Sequence, residues 1–242
     1  MIILSHTNLS GINLGGINLS EIKLGMPSGK GTGGEETFDP SSFDQAWSVT
    51  GKTNDDEDRA TVKNLTGNGN DLMLSNFAFA EDSGYNSEGY LVTDGVDDSV
   101  ASSNFNLYDD FTFVGEWMLL STDVSVNAGI IKSSKLYIYN YITGISLFIN
   151  GIGAAANTNL QGIKSLKAIC SDGRAYDENW NEIIVKFNVH GRENNSFILG
   201  SNTNNSKFAP LAFKNGAFYS DKALTKDQCI KAYNYLQTLK EK

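Results

Sequence analysis

Residues 64–120 decide the fold: NLTGNGNDLMLSNFAF (64–79), GYLVTDGVDDSV (89–100) and DDFTFVGEWMLL (109–120). Turns rich in glycine and asparagine alternate there with short apolar, β-branched and aromatic runs, the signature of strands joined by tight turns. Over 111–120 one face of a strand would carry Phe111, Phe113, Gly115, Trp117 and Leu119, and the other Thr112, Val114, Glu116, Met118 and Leu120. Both faces are mostly apolar, which predicts a central strand of a layered sheet rather than an edge.

Working outward, residues 72–80 and 89–93 are strand candidates on the near side of the DGVDD turn at 94–98. Beyond it, 135–141 alternates, with Leu136 and Ile138 on one face and Tyr137, Tyr139 and Tyr141 on the other. Residues 146–150 read as a strand and 153–162, small and polar, as a loop; 183–189, 196–200 and 213–219 complete the set of strands. Upstream, 38–47 reads as a short ordered lead-in and 54–59 (NDDEDR) as a solvated acidic loop. Many short strands and polar turns with almost no helix predict an all-β sandwich. The exception is the end of the chain. Thr225 and Gln228 match a capping box, in which two side chains reciprocally satisfy free backbone N–H groups. Behind them Cys229, Ile230, Tyr233, Leu236 and Leu239 form an apolar stripe at helical spacing, so one amphipathic helix closes the chain and Cys229 is structural.

The first residues follow a different period. Residues 7–26 divide into TNLSG, INLGG, INLSE and IKLGM, with apolar positions at Leu9, Ile12, Leu14, Ile17, Leu19, Ile22 and Leu24. A period of five is neither the two of a strand nor the 3.6 of a helix. A single repeat unit cannot bury its own apolar side, so this arm is expected to order against another copy or a different protein. GMPSGKGTGG (25–34) has the composition of a flexible tether. The expected organisation is an anchoring arm over 1–26, a Gly-rich linker over 27–37 and a body over 38–242.

Composition narrows the partners. The 242 residues are 40% apolar and 11% aromatic, ample for a large core, and the net charge is −9. Such a surface repels phosphate backbones and acidic lipids, so neither nucleic acid nor membrane is expected as a partner. No apolar run reaches the length of a membrane span, and the start MIILSHTNLSG lacks the basic region of a secretory signal. Cys170 and Cys229 make no metal-type spacing and are expected as two free, buried thiols.

Two resemblances carry the reading further. The body resembles a concanavalin A-like jelly roll of the laminin G-like type. The residues that carry it are Gly67-Asn68-Gly69-Asn70-Asp71-Leu72, the DGVDD turn, the FTFVGEW strand and the ending AFYSDKALTKDQCIKAYNYLQ. The arm resembles pentapeptide repeats, which build four-sided β-solenoids, and the short Leu-Gly repeats (INLGG, IKLGM) of virion-attached phage proteins. Together the chain is similar to virion structural proteins (head fibre, decoration or tail fibre) of tailed bacteriophages infecting gut Bacteroides-type bacteria, the crAss-like group. This resemblance implies attachment to capsid or tail proteins through the arm, assembly as a homo-oligomer with a trimer favoured, and a virion location after assembly in a bacterial cytoplasm.

Little in the sequence points to catalysis. Glycoside hydrolysis needs two carboxylates flanking the bond. The Glu-x-Asp-x-(x)-Glu strand of glucanases sharing the resembled fold is missing, and Glu178 and Glu182 do not supply it. The two histidines, His6 and His190, match no nucleophile, phosphate or zinc motif. No catalytic residue, metal or cofactor is therefore expected. Asp94, Asp97, Asp98, Asp109 and Asp110 could converge on calcium, as could Asp55, Asp56 and Asp58, but turn aspartates commonly hydrogen-bond their own backbone instead. The competing function is lectin-like recognition of a host glycan. Tyr137, Tyr139, Tyr141 and Trp180 are the candidate stacking or subunit-contact residues, since sugar sites pair aromatic faces with orienting polar groups.

Overall fold

The computed structural model describes residues 38–102, 110–121, 129–132, 136–141, 144–149, 158–161, 163–184, 197–200 and 208–240, with the strand backbone of 13–14 and 17–18. The chain divides into two units, Met1–Phe38 and Asp39–Lys242. In the first, β1 (Asn13–Leu14) and β2 (Ile17–Asn18) pair antiparallel, Asn13 opposite Asn18 and Leu14 opposite Ile17. The register sets the asparagines of two successive five-residue repeats opposite one another, while Leu14, third in its repeat, faces Ile17, first in the next. The arm residues Leu9, Ile12, Leu19, Ile22 and Leu24 and the linker lie outside the described residues, as do the side chains of Leu14 and Ile17.

The second unit is a jelly-roll sandwich of two antiparallel sheets closed by one helix. Its organising strand is β9 (Phe111–Leu119), which pairs on one side with β14 (Ala168–Cys170) and on the other with β18 (Pro210–Ser220). Phe111, Phe113, Trp117 and Leu119 turn into the core between the sheets, and Thr112, Val114 and Glu116 stand on the outer face. Both faces are covered from Phe111 to Val114, as the doubly apolar sequence predicts, while Glu116 is half-buried and Met118 exposed. Gly115 is required by close approach: a Cβ there would lie 2.8 Å from Asn215 O and 2.9 Å from the Phe113 ring.

The eleven-residue β18 holds the second sheet together. Opposite β9 it pairs first with β7 (Leu91–Asp94) and then, past a register shift between Phe213 and Asn215, with β3 (Gln45–Ser48). A bulge of this kind re-aims a strand, and here it lets two short strands share one edge end to end. Outside β14 come β15 (Arg174–Tyr176) and β16 (Glu182–Ile184), and outside β7 comes β6 (Gly84–Tyr85).

The first sheet runs β13 (Thr158–Gln161), β12 (Gly144–Ile149), β11 (Leu136–Tyr141), β10 (Gly129–Lys132), β17 (Phe197–Leu199), β8 (Ser99–Ser102), β5 (Leu72–Ser75) and β4 (Thr61–Val62). Leu72, Leu74, Val100, Ile131 and Leu199 face the second sheet's aromatics across the core. The helix α1 (Lys226–Leu236) lies on the outer face of the second sheet, against β9 and β18. Its capping box forms as the sequence predicts: Gln228 N–H donates to the Thr225 side chain and Thr225 N–H to the Gln228 side chain.

Three expectations need correction. Residues 158–161 form β13 although 153–162 reads as a loop; an edge strand needs no apolar alternation, so TNLQ gives no periodic signal. The lead-in over 38–47 runs into a true strand, β3, paired with β18. The strand expected over 72–80 stops at Ser75, because Asn76 takes a positive φ of 69° and donates its side-chain N–H to Asp97 O.

Candidate functional site

The outer face of the second sheet carries a strip of aromatic and charged side chains beside α1. It begins at the turn joining β15 to β16. Asp177 Oδ1 accepts the backbone N–H groups of Asn179 and Asn181, each at 2.8 Å, its Oδ2 accepts Asn181 Nδ2, and Trp180 N–H donates to Asp177 O. Burial opposes ionisation of Asp177, but the hydrogen bonds from Asn181 and Asn179 outweigh it and hold the carboxyl below its ordinary value. The turn places Trp180 at φ +62°. A bulky residue in this left-handed region costs on the order of 1 kcal/mol, the sort of local strain that clusters at functional sites.

The strain presents the indole to the helix. Trp180 meets Tyr233 edge-on, with ring centroids 5.6 Å apart, and lies 6.1 Å from Tyr176. The Lys167 ammonium sits 5.4 Å from the Trp180 centroid and 4.9 Å from that of Tyr233, within cation–π range of both rings. Tyr233 Oη donates to Glu116 Oε2 at 3.2 Å, Tyr90 Oη donates to Glu116 Oε1, and Lys214 Nζ lies 3.5 Å from the same oxygen. Lys214 also stands 5.4 Å from the centre of the Tyr90 ring. Burial, then the hydrogen bond to Glu116 and its charge, push Tyr90 up to about 12. Burial and the Glu116 charge likewise raise Tyr233, so both hydroxyls stay protonated donors. Trp180, Tyr233, Tyr90, Glu116, Lys167 and Lys214 are all half-buried. Three aromatic rings interleaved with one carboxylate and two ammonium groups offer both stacking faces and orienting hydrogen-bond groups, the combination a sugar requires.

Of the sequence candidates, Trp180 belongs to this strip. Tyr137, Tyr139 and Tyr141 belong to β11 in the first sheet, the sheet opposite Trp180, and their side chains lie outside the described residues. Sequence reading misses Glu116, Tyr90, Lys167, Lys214 and the place of Tyr233 in the strip. Glu116 carries the signal that could have found them: it is the one charged residue in the strand FTFVGEWML, on the face where Thr112 and Val114 meet the helix.

A second cluster lies in the turn between β7 and β8. Asp94, Asp97 and Asp98 bring one carboxylate oxygen each within 4.8 Å of one another, the one grouping among the described residues with the chemistry to hold a cation. Asp94 Oδ1 is already occupied, accepting the backbone N–H of Val96, Asp97 and Asp98. Asp98 is fully buried, and its Oδ2 accepts Asp94 N–H at 2.9 Å. Asp110, offered to the same cluster by the sequence, is not in it and accepts from Ser171 Oγ at its Oδ1; Asp109, His6 and His190 lie outside the described residues. Cys170 and Cys229 are both buried and free.

No protein-family model and no curated protein matches the chain. Solved structures do match in shape. Trypanosoma rangeli sialidase in complex with sialic acid superposes with a TM-score of 0.55 at 10% identity, over 81% of this chain and 33% of that one. The receptor-binding domain of botulinum neurotoxin C/D mosaic serotype gives 0.54 at 10%, covering 81% and 52%. The binding domain of botulinum neurotoxin serotype D gives 0.52 at 11%, again covering 81% and 52%. The chain thus spans a third to about half the length of these proteins. At such identities the likeness is one of fold, and a β-sandwich shared with a sialidase and with toxin binding domains is what the chain resembles.

Proposed function

We propose that this protein is a non-catalytic display protein whose body binds a carbohydrate through the Trp180–Tyr233–Tyr90 strip. The observation that carries the reading is the strip itself, above all the left-handed Trp180 with its ring set against Tyr233 and Lys167. A sialidase solved with sialic acid and a toxin receptor-binding domain share the fold, which supports a binding role of this class. The test is a glycan array probed with the full chain, followed by titration of the best hit against Trp180→Ala. The variant should bind at least tenfold more weakly, as expected when a stacking aromatic is lost, with an unchanged unfolding midpoint. Equal binding by wild type and variant would sink the assignment of the site.

The arm supports a second element of the reading, attachment to a larger assembly such as the head or tail of a tailed-phage particle. Four five-residue repeats give too little chain to bury their own apolar positions. Light scattering on the full chain and on one beginning at Phe38 separates the roles. The full chain should be oligomeric, a trimer by preference, and the shortened one monomeric. Two oligomers would move the interface to the body, and two monomers would remove self-assembly as the arm's purpose.

A further inference from the structure

Cys170 ends β14 and Cys229 lies in the second turn of α1, and their sulfurs are 4.0 Å apart. Neither side chain is exposed. The surroundings are sparse in partners for two thiols. Leu224 O lies 3.5 Å from Cys170 Sγ and 3.9 Å from Cys229 Sγ, and Thr112 Oγ1 is 3.7 Å from Cys170 Sγ while donating to Lys222 O. A disulfide has a sulfur–sulfur bond of about 2.05 Å. Closing the gap therefore asks each sulfur to move about 1 Å, within the reach of side-chain rotation. The two cysteines sit on different elements, so a bond between them would join the chain's last helix to the sheet.

We propose that Cys170 and Cys229 form a redox-operated staple that fastens α1 to β14. The oxidant is a small disulfide of the oxidised-glutathione class. Cys170, as thiolate, attacks one sulfur of that disulfide, making a mixed disulfide and releasing one small thiolate. Cys229, deprotonated in turn, attacks Cys170 Sγ, forming the Cys170–Cys229 bond and expelling the second small thiolate. The two protons of the protein thiols pass to the two released thiolates, and the protein gives up two electrons. Either thiol can donate to the other across the 4.0 Å contact. The attacking thiolate is assigned to Cys170, which a hydrogen bond from Cys229 favours, while burial opposes both ionisations. Access comes through α1, which is held by three buried residues, Cys229, Ala232 and Leu236. Elements with few buried contacts open locally at low cost. The bond would span 59 residues of chain, a long loop whose closure constrains the unfolded state strongly. Tyr233 stands one helical turn beyond Cys229, so the staple also fixes one end of the aromatic strip. The staple itself does not rest on the carbohydrate reading.

The experiment incubates the full chain with millimolar oxidised glutathione, just below its unfolding temperature so that α1 opens, against a control in dithiothreitol. The expected product has lost two hydrogen atoms by mass and both thiols by Ellman titration after denaturation. Its Tm rises by about 10 °C and dithiothreitol restores it. Cys229→Ser should halt at the mixed disulfide, carrying one glutathione on Cys170. Retention of both thiols, a wild-type adduct that does not close, or a closed bond that leaves Tm unchanged would each overturn the proposal.

Discussion

Trp47→Ala should cost about 3–5 kcal/mol of unfolding free energy, the range for removing a fully buried large aromatic. Trp47 is wholly enclosed, crosses Phe218 edge-on at 6.4 Å, and donates its indole N–H to Asn70 O at 2.9 Å. It also sits opposite Gly216 in the pairing of β3 with β18, and bridges to Asn64 on its other side. One side chain thus joins three separate segments: β3, the Gly67–Asn70 turn and the longest strand of the second sheet. Truncation leaves a cavity and strips Asn70 O of its donor in the same step. Trp47→Phe separates the two effects: it keeps most of the ring, loses the hydrogen bond, and should cost about 1–2 kcal/mol. Urea unfolding followed by intrinsic fluorescence and circular dichroism measures both. Typical domains hold only about 5–15 kcal/mol in total, so Trp47→Ala should bring the body near the limit of folding. A loss under about 1 kcal/mol in Trp47→Ala would show that β3 is dispensable and the packing account wrong.

The same residue shows where sequence reading succeeds and where it stops. The Gly67–Asn70 turn is legible because glycine and asparagine mark positive φ, and Gly67, Gly69 and Asn70 all adopt it. The strand Phe111–Leu119 is legible because apolar residues on both of its faces demand cover on both. The helix is legible from Thr225 and Gln228, whose reciprocal bonds form within four residues of chain. Trp47 itself sits at the edge of what looks like a lead-in, since β3 is only four residues long and its partner lies about 170 positions later. Local pattern carries no information about such a pairing.

The site divides along the same line. Trp180 can be singled out as an aromatic among asparagines, but its neighbours cannot. Lys167, Glu116, Tyr90, Lys214 and Tyr233 come from five separated places and meet only because β14, β9, β18 and β7 lie side by side under α1. The sequence pairs Trp180 with the β11 tyrosines through proximity in number, whereas the topology places β11 in the other sheet. Cys170 and Cys229 are a further case. Each reads correctly as a buried free thiol, and nothing short of the packing of α1 on β14 reveals that they are 4.0 Å apart.

Asp98→Asn should stabilise the protein at neutral and mildly alkaline pH and lose that advantage in acid. Asp98 is fully buried and its Oδ1 has no hydrogen-bond partner. Burial, reinforced by the neighbouring Asp94 and Asp97 charges, raises its pKa from the ordinary 3.8 to about 6, although the Asp94 N–H and Ser83 bonds pull the other way. Because the folded value lies above the unfolded one, the native state holds this proton more tightly than the unfolded chain does. The group therefore favours folding most when protonated, below about pH 4, and its contribution falls as pH rises to about 6. Above that the whole cost of a buried charge is present, on the order of 3 kcal/mol for a gap of this size. Asparagine keeps an oxygen for the Asp94 N–H and replaces the unpartnered oxygen with an amide facing carboxylates, at no charge. Loss of a charged acceptor offsets about 1 kcal/mol of the gain. At pH 8 in the presence of a chelator the variant should therefore exceed wild type by about 2 kcal/mol, and by pH 4 the difference should vanish or reverse. Carboxylates held below their ordinary value, such as Asp71 and Asp177, weaken both proteins equally as pH falls and cancel in the comparison. Urea midpoints across pH 4–8 measure the difference directly. A wild type more stable than Asp98→Asn at pH 8 in chelator would mean that the ionised carboxylate is held by bonds strong enough to outweigh its burial. If calcium instead stabilised wild type and left the variant unmoved, the three carboxylates of this turn would be a cation site whose ion had been relieving the same buried charge.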